Sequence, residues 1–222
     1  GHNDRPDGKE RLMSRFSRSV VRVASGGLHA FARYPAAMLS ALLLAASASI
    51  HIAADPDADL VLNSLHLASV FGAALGMAAV AAATVLPGRR AFLLTQITAL
   101  AAAAAVFLLL YLPGHPISGI AGNRVAAATG IALVLFLLLL SRRHTGLSFS
   151  GICFVSLRSA AIAALYTLVL IGGLLFLVFS IDFLIVKNLN EDLYAHVSIW
   201  SALIGYALFL GRLPDTAENW PL

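Results

Sequence analysis

Residues 159–186, SAAIAALYTLVLIGGLLFLVFSIDFLIV, and residues 193–211, LYAHVSIWSALIGYALFLG, decide the fold. Each run is apolar around its whole circumference. Each is also about as long as an α-helix must be to cross a ~30 Å hydrocarbon layer. The polar turn between them, KNLNED (187–192), is the one Lys–acid cluster in the second half of the chain. Two such runs joined by a short turn read as a transmembrane hairpin.

The rest of the chain agrees. Of its 222 residues, 59% are hydrophobic and 12% charged, with a mean hydropathy of +0.87. That leaves too little polar surface to cover a soluble domain. Reading outward, further spans are expected at about 35–53, 60–86, 91–111 and 125–140, ahead of those at 159–186 and 193–212. The expected fold is all-α, a six-span membrane helix bundle. Residues 145–158, TGLSFSGICFVSLR, mix apolar and small polar types and are expected as a connector lying on the surface. The fourth span is short unless its helix starts near Ile117, and in that case Arg124 needs a partner below the interface.

Ahead of the first span, residues 1–33 form a basic tail. Arg11, Arg15, Arg18 and Arg22 share one helical stripe beside Leu12, Phe16, Val20 and Val23. Such a helix lies in the headgroup layer, with its arginines on anionic lipid phosphates. Gly1-His2 in place of Met reads as a tag-removal scar. No cleavable signal peptide is visible, and we expect a piece of a longer product. Residues 213–222 form a short C-terminal tail.

The cations test the span count. With six spans, one side collects the basic tail together with Arg33, Arg89, Arg90, Arg142, Arg143, Arg158 and Arg212. That is 13 of the 15 Lys and Arg residues, all but Arg124 and Lys187. Cytoplasmic loops retain positive charge, so both termini are expected in the cytoplasm of a bacterial cell, with the bundle in its inner membrane. The same distribution removes nucleic acid as a partner, despite a pI near 9.6, because no soluble module carries the basic residues.

Residues with chemistry gather at the opposite face: His51, His66, His115 and His196, with Asp55, Asp57, Asp59, Glu191 and Asp192 nearby in topology. Imidazole and carboxylate together suit a transition metal or a proton relay. No HExxH or paired-His spacing supports a metal, however, and Cys153 is the single cysteine. Interfacial histidines more often hydrogen-bond to headgroups, water or backbone. Haem is not expected, since His29 and His144 lie outside the spans and offer no facing axial pair. No cofactor and no catalytic Ser/His/Asp order is expected.

Two further features remain. Arg124 and Asp182 fall within the outer halves of the fourth and fifth spans. There they suit either an interhelical salt bridge or a transport gate. The alternative places Asp182 near Lys187 and lets Arg124 reach lipid phosphates. Gly72 and Gly76 form a G-x-x-x-G extended by Ala68, Ala79 and Ala83, a face on which two helix backbones approach closely. Internal packing is favoured over a second membrane subunit.

The run from Leu147 to Pro214, with Gly172-Gly173 in the fifth span and Tyr194, Trp200 and FLGRLP (209–214) in the sixth, resembles bacterial membrane proteins of domain-of-unknown-function family 4153. Arg33-Tyr34-Pro35 at the start of the first span fits the same pattern. The resemblance implies a multi-pass class, with further spans missing beyond the C-terminus, and no reaction. The expected function is a non-catalytic membrane module, transport-related or envelope-associated. Its rivals are a proton- or metal-coupled transporter using Arg124, Asp182 and His196, and a scaffold or sensor for lipids or partners.

Overall fold

Pro35 opens the first helix, α1 (Pro35–Ala53), at a position where its missing N–H is no loss. The computed structural model describes residues 30–53, 59–85, 88–114, 117–143, 149–186 and 192–213. After α1 come α2 (Asp59–Val85), α3 (Arg89–Tyr111), α4 (Gly119–Arg143), α5 (Phe149–Ile181) and α6 (Asp192–Arg212). All six are long and apolar enough to cross a membrane. The turns have local causes. Gly88 holds φ at 122° before α3, a conformation open to glycine. Ser118 caps α4 by accepting the Ala121 N–H at 3.2 Å.

Helix α2 is the hub, packing against α1, α3 and α4, while α6 joins α5 to α1. The small residues of α2 make this possible. A Cβ built on Gly72 would lie 2.9 Å from Ala103 of α3 and 3.3 Å from Ser40 Cβ of α1. One built on Gly76 would press into the α1 backbone, 2.8 Å from Ala37 Cα and 3.0 Å from Ala36 C. Here the G-x-x-x-G face meets helices of the same chain. The α5–α6 hairpin uses the same device, with Gly205 against the side chain of Thr167.

The packed core sits at one end. Tyr34 and Met38 of the first helical region, Met77 to Ala81 of α2 (without Ala79), and Phe136 and Leu140 of α4 form one cluster. Ile152 of α5 and Leu210 and Leu213 at the end of α6 complete it, with Phe92 of α3 packed alongside. These are the arginine-bearing ends of all six helices, so Arg33, Arg89, Arg142, Arg158 and Arg212 share one end of the bundle. Polar contacts tie that end together. Gln96 Oε1 of α3 accepts the Ala36 N–H at 3.2 Å, satisfying one of the free donors in the first turn of α1. Arg33 Nη1 donates to Leu213 O at 3.0 Å, and Ser159 Oγ donates to Arg212 O at 3.4 Å. The Arg212 guanidinium lies 4.9 Å from the Tyr166 ring centre. Charges at the C-terminus of α6 are well placed against its dipole.

Two expectations need correction. Residues 149–158 are not a surface connector but the first turns of α5, where Ile152, Ser156, Ser159 and Ala163 form a buried stripe. At 33 residues α5 measures about 50 Å, longer than the hydrocarbon requires. The fourth helix is 25 residues long and not short, starting at Gly119, which puts Arg124 in its second turn. The proposed arginine helix (Arg11, Arg15, Arg18, Arg22), His29, His115, His144, Lys187 and Glu191 lie outside the described residues.

The contrast between glycines is testable. Gly76→Val should cost about 1–3 kcal/mol through overpacking, read as earlier unfolding in a denaturant titration of detergent-solubilised protein. Gly172→Ala, where nothing lies within 4 Å of the new Cβ, should be neutral or stabilise by up to ~1 kcal/mol.

Candidate functional site

At the end away from the arginines, α1 finishes and α2 begins with polar groups side by side. His51 Nε2 lies 3.6 Å from Asp59 Oδ1. The His51 and His66 rings are 5.5 Å apart, tilted by 43°. These residues are 15 apart in sequence and meet because the α1–α2 hairpin brings its two tips together. His196 is half-buried in the second turn of α6 and shares none of these contacts. Among the described residues, no three of His, Cys, Asp and Glu converge as a metal-binding group.

Among the described residues, Ser49 Oγ, His51 Nδ1, Ser64 Oγ and His66 Nε2 are buried here without a hydrogen-bond partner, and Gln96 Nε2 and Ser156 Oγ are so nearer the basic end. Several other hydroxyls are satisfied within their own helix. Thr84, Thr129, Thr167 and Ser198 donate to carbonyls three or four residues back, at 2.7–2.9 Å. Buried polar groups as a rule have partners, so each exception calls for a cause.

The Arg124–Asp182 salt bridge is not formed. Arg124 is exposed on α4. Asp182 opens a π-helical turn, Asp182–Val186, that ends the fifth span, and it accepts a hydrogen bond from Tyr194 Oη at 3.4 Å. The acid thus sits in the π-turn and meets Tyr194 of α6, not Arg124 of α4.

Two cavities lie at mid-depth. One, of about 490 Å³, is enclosed by α1, α2, α4 and α6, with Ala45, Ala74, Met77, Leu133, Ala202 and Phe209 among its walls. The other, of about 670 Å³, is a groove between α5 and α6. Tyr206 stands between the two. The only hydroxyl side chains lining them are Thr129, Thr167 and Tyr206. Each is already committed: Thr129 to Val125 O, Thr167 to Ala163 O, and Tyr206 to Ala73 O at 3.3 Å. Neither cavity was read from the sequence. Their signal is the set of alanines at 41, 45 and 48 in α1 and at 73 and 74 in α2, which leave space where larger side chains would fill it.

Fold and cavity walls together define a multi-pass membrane helix bundle with apolar cavities. No family model, curated protein or solved structure matches this chain.

The separation of Arg124 from Asp182 gives a measurable result. In a double-mutant cycle on unfolding, Arg124→Gln and Asp182→Asn should be additive to within about 0.5 kcal/mol. Asp182→Asn and Tyr194→Phe should instead show coupling.

Proposed function

We propose that this chain is the membrane-embedded module of a larger bacterial envelope protein. It sits in the inner membrane with both termini in the cytoplasm and performs no catalysis of its own. The observation that carries this reading is the chemistry of the interior. Both cavities are walled by apolar side chains, and their three hydroxyls are tied to backbone carbonyls. A path for ions or polar solutes needs groups that replace hydration along its length. Arg124 and Asp182 line neither cavity.

The gathering of arginines at one end supports the orientation, since cations are retained on the cytoplasmic side. On this reading Arg11, Arg15, Arg18 and Arg22 contact anionic headgroups of the inner leaflet. The resemblance read from residues 147–214 would, on this proposal, imply a longer protein with further spans. The filled Gly72/Gly76 face weighs against a scaffold that recruits another subunit through that surface.

Thiol mapping in intact cells tests the orientation. In a Cys153→Ser background, Ala54→Cys and Asn188→Cys should react with a membrane-impermeant reagent, while Thr145→Cys and Ala217→Cys should stay protected. Labelling of positions 145 and 188 from the same side would refute it. In reconstituted vesicles, proton or cation flux should equal that of empty vesicles. A flux abolished by Asp182→Asn or His196→Ala would replace this reading with a transporter.

A further inference from the structure

The cavity enclosed by α1, α2, α4 and α6 has a floor, a side opening and a polar rim. Its floor is made by Met77, Tyr206 and Phe209, at the edge of the core cluster at the basic end. Its side faces the bilayer: Val70 and Leu133, both on its walls, are 42% and 41% exposed. The opening lies between α4 and α6, which do not pack along their length, although Phe136, Leu140, Ala207 and Leu210 all belong to the core cluster at the basic end.

The rim follows from helical register. On α1 the wall positions 41, 44, 45 and 48 continue outward to His51, three residues past 48 and seven past 44. On α2 the wall positions 70, 73, 74 and 77 continue to His66, four before 70 and seven before 73. On α6 the positions 199, 202, 203 and 206 continue to His196, three before 199. Three helices of the cavity thus each place a histidine one turn above its walls. Two of these rings are in contact, and each keeps one buried nitrogen without a partner among the described residues.

We infer that this cavity is a lipid-binding site, taking one acyl chain of a membrane phospholipid between α4 and α6 and its primary-ammonium headgroup at the His51/His66 rim. This rests on the membrane setting of the proposed function and not on the orientation or on the absence of catalysis. The walls select the chain. A volume of about 490 Å³ falls in the range of ~300–1,000 Å³ typical of ligand pockets, and the walls are nearly all aliphatic or aromatic. The rim selects the head. His51 Nε2 faces the Asp59 carboxylate at 3.6 Å, which leaves Nδ1 as the ring nitrogen open to a donor. An ammonium supplies the missing N–H donors and places its charge beside the Asp59 carboxylate. A choline head carries the same charge but has no N–H to give.

The test uses full-length protein in phosphatidylcholine nanodiscs with a photoactivatable lysophosphatidylethanolamine as probe. Labelling should be saturable and map to α1, α2, α4 and α6. It should compete with unlabelled ethanolamine lipid and much less with its choline counterpart. Ala74→Phe and Ala48→Leu, which fill the cavity, should lower labelling about tenfold or more, the scale of lost apolar contacts in a pocket. His51→Ala/His66→Ala should abolish the preference for ethanolamine over choline while keeping the fold, as checked by unchanged elution and unfolding. Labelling spread over the lipid-facing surface of α5, or unchanged in Ala48→Leu, would overturn the site. Equal competition by choline and ethanolamine lipids, or stronger competition by a glycerol headgroup, would overturn the assignment of the head. Each of these outcomes is independent of the thiol-mapping result.

Discussion

Within hydrocarbon, two apolar helices gain nothing by hiding from a solvent as greasy as themselves, so they associate through close contact of their surfaces. That constraint makes α2 the organising element. Its Gly72 and Gly76 bring α1 and α3 so near that an added methyl group would strike the α1 backbone. Ser64, Ala68, Ala78 and Ala81 extend the buried small-residue surface along the helix. Once α1 and α3 are seated, Gln96 reaches the free N–H of Ala36, and the start of α1 is fixed against the start of α3. The other helices are added to this trio: α4 against α2, and the α5–α6 hairpin through α6 against α1.

The two ends of the bundle then differ in kind. At the basic end large side chains from every helix interlock, and Arg33 and Ser159 cover carbonyls where α6 finishes. At the other end the side chains of His51, Asp59 and His66 come together, and among the described residues His51 Nδ1 and His66 Nε2 are buried without a hydrogen-bond partner. Between the ends, alanines line the mid-depth cavity and leave its space unfilled. The outward face of α5, with Phe154, Leu165, Leu168 and Phe176 exposed, is the chemistry of a lipid-contacting surface.

Much of this was legible from residue order alone. The six spans follow from run length, and the sharing of one end by the arginines follows from their spacing between runs. The close-packing face on α2 follows from its glycines. The start of α5 was not legible, because Ser150, Ser156 and Arg158 dilute the apolar run and make it look like a connector. Only the periodicity of Ile152, Ser156, Ser159 and Ala163 reveals the helix, and in a membrane protein small polar residues serve on buried faces as well as apolar ones do. The separation of Arg124 from Asp182 was hidden too. Sequence places both near one face, but the acid lies in a π-turn and meets Tyr194 of α6, which residue spacing does not record. The contact of His51 with His66 depends on how the hairpin tips are aligned, which no local pattern records.

The most direct test of a bundle joined at its basic end and parted between α4 and α6 is a pair of distances measured by pulsed electron spin resonance in nanodiscs. One spin-label pair at positions 141 and 211 reports the basic end, and another at 126 and 197 reports the level of the cavity mouth. The account predicts a shorter and narrower distance distribution for the first pair than for the second. A second pair as close and as narrow as the first would mean that α4 and α6 are packed along their length, and the central claim would fail.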